Sequence, residues 1–297
     1  MLLYFSKNYF STLSNIPKNI LIPNNNKLVN FNEISIIKKE NEIKNIKYAS
    51  EILSKTLNQI SILVKNKKLK TGNEVNKFVN EYLIKNNCYP SSYNFQKFPK
   101  SICISPNEIV CHGIPNDIQF KEGDIINFDL TVFYNGMFSD GSIMVSLGKI
   151  SPLKKKLIEV TKKSLYLGIS ICKPNIKISE IGKIIENYVK KEGFFICKEF
   201  CGHGIGTSIH MLPIIKHYNN NDDLILKKGM TFTIEPIVFV NSYKKLFILS
   251  DNWSVFCPGN LSAHFEHTIM ITDNGCEILT KNNNKRILIK NNINCLL

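Results

Sequence analysis

Four carboxylates and one imidazole stand in short motifs of the kind that builds a rigid site. They are Asp129, Asp140, His203, Glu235 and Glu266. Four negative charges neutralise two divalent cations, and oxygen ligands with a single imidazole suit hard to borderline metals. If these side chains converge, the sequence predicts a hydrolase with two metal ions. If they do not converge, they are five ordinary polar residues.

The two aspartates flank a predicted hairpin. Residues 134–136 form the turn signal Tyr-Asn-Gly, and residues 124–134 and 137–147 read as its two strands. Counting back from the turn places Asp129 and Asp140 on neighbouring strands and on the same face. Acids near a turn usually point at water, which is the alternative. Asp129, however, lies inside an apolar strand, where an unpaired charge is costly.

The other three residues stand in contrasting surroundings. Glycines on both sides of His203 allow close backbone approach and unusual dihedral angles, and argue against a strand or helix interior. A phosphate-cradling loop is the alternative, but the spacing fits neither common Gly-rich signature and no Lys-Ser/Thr follows. Glu235, followed by Pro236, and Glu266 lie in apolar strands, where glutamate is rare unless paired or metal-bound.

The elements that must position these residues occur in a repeated order of two helices followed by strands. Apolar spacing and capping signals predict four helices: residues 38–64, residues 71–85 opened by the Thr71-Gly-Asn-Glu74 capping box, residues 153–170 after Ser151-Pro152, and residues 178–191. Strands are predicted over 101–105, 124–134, 137–147, 194–200, 230–240, 245–250, 262–272 and 275–280. Two structurally similar halves are indicated. The aspartates come from the first half and the other three residues from the second, so the site is expected at their junction.

Composition excludes several classes of protein. No apolar run reaches the roughly 18 residues that a membrane span needs. Nine widely scattered cysteines do not form a disulfide framework or a zinc knuckle, and we interpret them as free thiols in a reducing compartment. The formal net charge of +14 favours acidic partners, but nearly all basic residues are Lys, which is typical of AT-rich coding bias.

Residues 1–32 contain no Asp or Glu, which is typical of an organelle transit peptide. We expect this extension to be mostly disordered and dispensable for catalysis, and to direct the chain to a mitochondrion or plastid rather than to secretion. An AT-biased tail without a signal is the alternative. A catalytic domain over 33–280 and a short tail over 281–297 complete the predicted organisation.

Seven motifs together resemble one enzyme family. They are Cys-His112-Gly-Ile-Pro, Asn-Phe-Asp129-Leu-Thr-Val, Asp140, Gly-His203-Gly-Ile-Gly, His210-x-x-Pro213, Thr-Ile-Glu235-Pro and Phe-Glu266-His-Thr. In order and approximate spacing they resemble the methionine aminopeptidases, over residues 33–280. The resemblance implies the pseudo-symmetric "pita-bread" α+β fold, with an antiparallel sheet covered by helices. It also implies removal of the initiator methionine from nascent proteins when the second residue is small and uncharged.

The resemblance favours type I, in the organellar or bacterial-like subclass. The interval between His210 and Glu235 has no room for the helical insertion of type II, and the Cys/His zinc-finger extension of the cytosolic eukaryotic form is missing. Three departures from the family pattern concern substrate affinity more than activity: Ser139 and Gly141 flank Asp140, Met211 and Leu212 follow His210, and Ile209 stands where Phe is frequent.

Residue roles follow from the same resemblance. Asp129 would chelate one metal, Asp140 and Glu266 would bridge two, and His203 and Glu235 would complete the second. The two ions would be Co, Mn, Fe or Zn. Glu235 is the expected proton carrier, and His112 and His210 the substrate-contacting histidines, one holding the scissile peptide and the other its developing oxyanion. The expected methionine pocket consists of Phe95, Phe98, Cys103, Ile209 and Trp253; ordinary core packing is the alternative for all five.

Two rival functions remain open at this point. A prolidase or aminopeptidase P would share the fold, but such enzymes usually carry a large N-terminal domain, which we do not expect here. A catalytically dead pita-bread protein that binds ribosomes or RNA would usually lose metal ligands, and this sequence keeps all five. As partners we expect the N-termini of new proteins, with a transient ribosome contact through the basic surface, no membrane and a monomeric state.

Overall fold

Helices and mostly antiparallel strands alternate along the chain, which confirms the α+β prediction. The computed structural model of the protein describes residues 16–23, 36–281 and 288–289. The helices are α1 (Glu40–Lys65), α2 (Gly72–Lys85), α3 (Pro152–Ser170) and α4 (Ser179–Lys191), with a 3₁₀ turn at Phe95–Lys97. The strands are β1 (Tyr89–Pro90), β2 (Cys103–Pro106), β3 (Ile109–Cys111), β4 (Ile125–Tyr134), β5 (Met137–Ser146), β6 (Phe195–Ile196), β7 (Gly202–Gly204), β8 (Met211–Ile215), β9 (Thr231–Ile234), β10 (Ile237–Phe239), β11 (Phe247–Ile248), β12 (Val255–Phe256), β13 (Ser262–His264), β14 (Glu266–Ile271), β15 (Cys276–Ile278) and β16 (Leu288–Ile289).

The four helices begin and end where their local sequence predicts. The Thr71 hydroxyl accepts a hydrogen bond from the backbone N–H of Glu74 at the start of α2. Ser151 caps α3 in the same way, accepting from the N–H of Lys154 at 3.3 Å. Gly193, with φ of +84°, follows α4 in a conformation that suits glycine. The predicted helices are thus confirmed to within a few residues.

One large sheet joins strands from both halves of the chain. Its order is β1-β4-β5-β14-β9-β7-β8, with β2 paired to β4, and β15 and β16 continuing from β14. The β4–β5 hairpin turns at Asn135 and Gly136, whose φ angles of +44° and +87° fit the predicted tight turn. Strand β5 of the first half lies next to β14 of the second. The sheet therefore brings residues distant in sequence onto adjacent strands.

The structure corrects three strand predictions. The strand expected over 230–240 is divided into β9 and β10 at Glu235-Pro236, because proline lacks the N–H that a central ladder needs. The strand expected over 262–272 is likewise divided into β13 and β14. The expectation that His203 and its glycines cannot form a strand interior is wrong, because Gly202–Gly204 is β7, paired with β8 and β9.

Each half buries its own apolar core under its own pair of helices. In the first half, Leu53 of α1 and Val79 of α2 pack in one cluster with Phe128 of β4. In the second half, Ile185 of α4 packs in another cluster with Phe232 of β9. Both cores pack against one shared sheet, which agrees with the repeated order of helices and strands in the sequence.

Part of the N-terminal extension packs on the domain. Ile20 is 6% exposed and lies in an apolar cluster with Ile46 of α1 and Tyr89. Asn19 donates from Nδ2 to Oδ1 of Asn87 at 3.0 Å. The segment 16–23 is therefore seated on the domain. The rest of the predicted extension, and the tail apart from β16, lie outside the described residues, so the predicted domain boundaries stay predictions.

The structure also bears on two expectations from composition, which concern membrane-spanning helices and the cysteines. Among the described helices, none is both long and apolar enough to cross a membrane. The described cysteines are free thiols, and all of them except Cys201 are buried.

Candidate metal centre

Three neighbouring strands place three carboxylates on one face of the sheet. On β4 and β5, Asp129 pairs with Ser142 and Thr131 pairs with Asp140, so the two aspartates lie two residues out of register on the same face. Glu266 at the start of β14 pairs with Ser142 from the other side. The alignment of Asp129, Ser142 and Glu266 across three strands follows from the uninterrupted β4–β5 hairpin.

The other two residues join this group from β7 and from the end of β9. Ligand atoms of Asp140, His203 and Glu266 lie within 4.8 Å of one another. Oε1 of Glu235 lies 3.6 Å from Nε2 of His203. The structure thus brings residues of both halves together, as the sequence predicts for a site at their junction.

The carboxylates crowd each other in a buried space. Burial, followed by the charge of Asp140, raises the pKa of Asp129 and of Glu266 well above the usual range. Burial raises the pKa of Asp140 to about 7 against the opposing effect of hydrogen bonds from Thr131 and the Gly141 N–H. The pKa of Glu235 is also raised well above normal, by burial and by both aspartates. Among the described residues these charges have no lysine counter-ion, so a bound cation is the natural neutraliser.

The imidazole of His203 is neutral and is oriented as a metal ligand would be. Its Nδ1 lies 3.1 Å from the carbonyl oxygen of Gly204, so the N–H is placed there and the lone pair of Nε2 faces the carboxylates. Burial first, and then His210, lower the pKa of His203 to about 3, so the ring is neutral at physiological pH. A neutral imidazole with its second nitrogen bonded to a carbonyl is the usual arrangement at a metal.

The donor set fits divalent metal ions. The residues that would hold these ions are Asp129, Asp140, His203, Glu235 and Glu266, and most of their ligand atoms are oxygens. When bound, such ions lower the pKa of water toward neutrality and polarise a carbonyl group. Asp140, His203 and Glu266 form the one cluster of three or more ligand atoms within 4.8 Å of one another among the described residues.

The glycines beside His203 permit close packing of the backbone. A Cβ atom on Gly202 would lie 2.4 Å from the carbonyl oxygen of Thr233, and one on Gly204 would lie 2.1 Å from that of Leu212. Neither glycine has a positive φ, so the dihedral angles that glycine permits are not used here. The predicted close approach is confirmed: β7 is glycine-rich because β8 and β9 leave no space for a side chain.

The two expected substrate-contacting histidines stand near this centre. The ring of His210 lies 4.4 Å from that of His203, centroid to centroid and edge-on. His112 has a φ of +55°, an uncommon conformation for a non-glycine residue. The backbone after it is also tightly constrained, because a Cβ on Gly113 would lie 2.1 Å from the Ile104 carbonyl oxygen. Such constraint is typical of functional positions.

The five residues expected for the methionine pocket are placed as follows. Phe95 meets the His210 ring edge-on at 5.4 Å, and Phe95 and Ile209 share one apolar cluster. Phe98 meets Trp253 at 5.1 Å, and Trp253 meets His112 at 6.1 Å. Cys103 on β2 pairs with Asp129. Four of the five are therefore adjacent to a metal-centre residue or to one of the two histidines, and Phe98 joins them through Trp253.

Several supporting residues were not predicted. Thr233 donates to Oε1 of Glu235 at 2.7 Å, and Thr131 is bonded to Asp140. Nε2 of the buried His217 accepts from the Glu235 N–H at 3.0 Å. His264 is buried with Nε2 3.8 Å from Oε2 of Glu235. A polar residue inside an apolar strand was the available signal, but a single residue of this kind is usually a satisfied core residue.

The departures from the family pattern find structural partners. Ser139 and Ser50 of α1 share a buried hydrogen bond of 2.7 Å between their hydroxyls. A Cβ on Gly141 would lie 3.1 Å from a methyl group of Leu53, so α1 packs closely on β5 at this point. Met211 is buried, whereas Leu212 is exposed. None of these residues displaces a member of the metal centre.

Comparisons with known proteins agree with the geometry. A sequence profile of metallopeptidase family M24 matches residues 44–273. The methionine aminopeptidase of Buchnera aphidicola subsp. Schizaphis graminum is 41% identical over 254 residues, which cover 85% of this chain and 96% of that one. The crystal structure of methionine aminopeptidase from Rickettsia prowazekii matches with a TM-score of 0.77 and 36% identity, over 82% of this chain and 99% of that one.

A prolidase also shares the fold, at lower similarity. The prolidase from Pyrococcus furiosus matches with a TM-score of 0.62 and 26% identity, over 84% of this chain and 66% of that one. The pita-bread fold is thereby confirmed. The residues between His210 and Glu235 form β8 and β9 with no intervening helix, consistent with type I. On profile, sequence and structure alike, the chain belongs to metallopeptidase family M24 and, within it, to the methionine aminopeptidases.

Proposed function

We propose that this metallopeptidase removes the N-terminal methionine from newly made proteins when the second residue is small and uncharged. The observation that carries the proposal is the convergence of the metal centre with two histidines and an aromatic wall. His203 of the centre contacts His210, and His112 contacts Trp253. A metal-dependent hydrolytic site is thus adjoined by an apolar surface that suits a thioether side chain.

Separate residues divide the chemical work. Glu235, whose pKa burial raises, is suited to general acid–base catalysis. We assign to His112 and His210 the orientation of the scissile peptide and the stabilisation of its developing negative charge. Phe95 meets the ring of His210 edge-on, and Trp253 meets the ring of His112 in the same way. The positioning of the substrate thus depends on rigid strands and aromatic contacts.

We also propose that two ions are held, and that they are Mn, Fe, Co or Zn. Four carboxylates balance two divalent charges. A ligand set of mostly oxygen atoms with one imidazole does not discriminate among these four metals.

Peptide turnover tests the proposed specificity. Metal-free protein is reconstituted with each of the four metals and given Met-Ala-Ser, Met-Leu-Ser, Met-Lys-Ser and Leu-Ala-Ser. We expect Met-Ala-Ser to be cleaved at least about a hundredfold faster than the other three, because a closed site rejects a bulky second side chain and a wrong first one. Equal release from Met-Ala-Ser and Met-Leu-Ser would overturn the specificity.

The prolidase rival is tested in the same assay. An Ala-Pro dipeptide is the discriminating substrate, since it offers no methionine and carries the proline that a prolidase requires. We expect no measurable cleavage of Ala-Pro with any of the metals. Ready cleavage of Ala-Pro without preference for methionine would support the rival.

Location and partners complete the proposal. The acid-free segment 1–32 supports import into a mitochondrion or plastid, and the net charge of +14 supports a transient ribosome contact by a monomer. A reporter fused to residues 1–32 is expected in an organelle, and a diffuse cytosolic reporter would reject the targeting. Salt-sensitive co-sedimentation with ribosomes, and sedimentation of the free protein as a monomer, test the other two statements.

A further inference from the structure

His264 is a buried histidine whose ring has no hydrogen-bond partner among the described residues. The residue is 3% exposed, and neither Nδ1 nor Nε2 forms a hydrogen bond within the described part of the chain. The backbone of His264 is held on both sides. Asn127 donates from Nδ2 to the His264 carbonyl oxygen at 2.8 Å, and the residue pairs with Ile237 between β13 and β10.

Buried polar atoms without a partner are rare in folded proteins, and each of them calls for an explanation. A side chain that served only to fill space at this position could be apolar, as its neighbours Ala263 and Ile237 are. An imidazole here is therefore costly for the protein unless it interacts with something in the working enzyme.

The nearest candidate partner is the free oxygen of Glu235. Nε2 of His264 lies 3.8 Å from Oε2 of Glu235, a distance that a small rotation of either side chain reduces to hydrogen-bond length. The other oxygen, Oε1, already accepts from Thr233 at 2.7 Å and faces Nε2 of His203 at 3.6 Å. The Glu235 carboxylate thus lies between two imidazoles, and only its Oε2 side lacks a donor among these neighbours.

We infer that His264 is a positioning residue of the metal centre, whose Nε2–H donates to Oε2 of Glu235 and fixes the orientation of that carboxylate towards the metal. The inference rests on the proposed function, because it takes Glu235 as a ligand. Carboxylates that bind metals are themselves hydrogen-bonded, and such donors orient the ligand.

A direct metal contact of His264 is not favoured by the geometry. His203 brings a ligand atom within 4.8 Å of ligand atoms of both Asp140 and Glu266, whereas the ring of His264 faces Oε2 of Glu235 at 3.8 Å. His264 thus acts through Glu235, and it differs from His203, which belongs to that cluster.

Two substitutions separate the roles of donor and filler. His264→Leu keeps an apolar volume of similar size and removes the donor, whereas His264→Gln restores an N–H at a similar distance from the backbone. If His264→Leu does not fold, His264→Phe replaces it as the variant without a donor. The control is Asn80→Leu on α2, where Oδ1 is another buried atom with no partner among the described residues but lies outside the site.

The measurements are cobalt(II) binding to the metal-free protein, the visible absorption of the bound cobalt(II), and the melting temperature in chelator. We expect His264→Leu to bind cobalt(II) about 10- to 100-fold more weakly and to alter the absorption spectrum. We expect its melting temperature in chelator to equal or exceed that of the wild type. His264→Gln should recover the affinity to within about threefold, and Asn80→Leu should leave affinity and spectrum unchanged.

Three results would overturn the inference. They are wild-type cobalt(II) affinity and spectrum in His264→Leu, a lower melting temperature in chelator with unchanged affinity, and failure of His264→Gln to recover what His264→Leu loses. Release of methionine from Met-Ala-Ser by the wild type is measured separately. If the wild type binds cobalt(II) without releasing methionine, the proposed function fails while the binding data still decide the role of His264.

Discussion

At the scale of single residues, the centre is a set of acidic and basic groups whose normal ionisation is suppressed. Burial and mutual repulsion raise the pKa values of the carboxylates, and burial lowers those of the imidazoles. Both shifts leave a site of low net charge in the metal-free protein. Bound cations reverse the carboxylate shifts, so metal affinity, protonation and activity are properties of the same few residues.

The role of Glu235 is tested by a conservative substitution. Glu235→Gln removes a ligand charge and the proton carrier while keeping the side-chain volume. We expect methionine release to fall more than about 100-fold, since loss of a partner of a metal ligand alone already costs 10- to 100-fold. Glu186→Gln is the matched control, because Glu186 is also a buried glutamate but pairs with Lys190 and Lys198 away from the centre. Comparable losses in both variants would mean that burial, not the metal centre, explains the effect.

A pH series tests the crowding of the carboxylates in chelator. The pKa of Asp140 rises from 3.8 to about 7 on folding, so the folded protein retains a proton that the unfolded chain releases. The contribution of Asp140 to the free energy of unfolding therefore falls as the pH rises from about 4 to about 7, and is constant above that. The Asp140→Asn variant has no titrating group at this position, so its free energy of unfolding does not fall for this reason as the pH rises.

We accordingly expect the stability of Asp140→Asn relative to the wild type to grow with pH over this window, by on the order of 1–4 kcal/mol. Denaturant unfolding at pH 5, 6, 7 and 8 measures the difference. A difference that does not change with pH would contradict the raised pKa of Asp140.

Residue types singled out the candidate ligands more readily than the residues that support them. Carboxylates inside apolar strands are conspicuous, and Asp129, Glu235 and Glu266 could be singled out for that reason. The hydroxyl of Thr233 and the ring of His264 could not be singled out, because threonine is common in strands and a lone buried histidine is usually satisfied. Their contacts depend on strand register, which the sequence does not specify at that resolution.

At the scale of elements, the β4–β5 hairpin and the glycine strand β7 set the geometry. The hairpin could be predicted in full, because its alternation is long and its turn residues are distinctive. Strand β7 could not be predicted, because three residues carry no periodicity and glycine weakens a strand. The two- and three-residue strands β1, β3 and β12 were missed for the same lack of a repeating pattern.

The tight packing of β7 gives a prediction with a matched control. A Cβ on Gly204 would collide with the backbone oxygen of Leu212 at 2.1 Å, whereas one on Gly141 would meet a movable methyl group of Leu53 at 3.1 Å. We expect Gly204→Ala to lower the free energy of unfolding by about 3 kcal/mol or more, and Gly141→Ala by about 1 kcal/mol. Denaturant titration compares the two; equal costs would show that β7 tolerates a side chain.

At the scale of the whole molecule, two halves with separate cores share one sheet, and the centre lies where they meet. The segment 16–23 adds a further contact, since Ile20 packs against α1 through Ile46. The sequence indicated two halves from the order of its elements. It did not indicate this contact, because an isolated apolar residue in an acid-poor extension has no pattern that predicts where it docks.

The docking of the segment is tested by neighbouring substitutions. Ile20 is 6% exposed, whereas Ile22 is 60% exposed. We expect Ile20→Ala to lower the free energy of unfolding by about 2 kcal/mol, and Ile22→Ala by less than about 0.5 kcal/mol. Removal of residues 1–15 should leave stability and methionine release unchanged. An Ile20→Ala variant as stable as the wild type would show that the segment is not seated in solution.

The dependence of methionine release on bound metal tests the whole structure most directly. Metal-free wild type and Glu266→Gln are titrated with manganese(II) or cobalt(II), while bound metal and release from Met-Ala-Ser are measured on the same samples. We expect no release without metal, release that rises with bound metal in the wild type, and a loss of both tight binding and release in Glu266→Gln. Full release by the wild type in excess chelator, or by Glu266→Gln at wild-type metal content, would contradict a metal centre built from these residues.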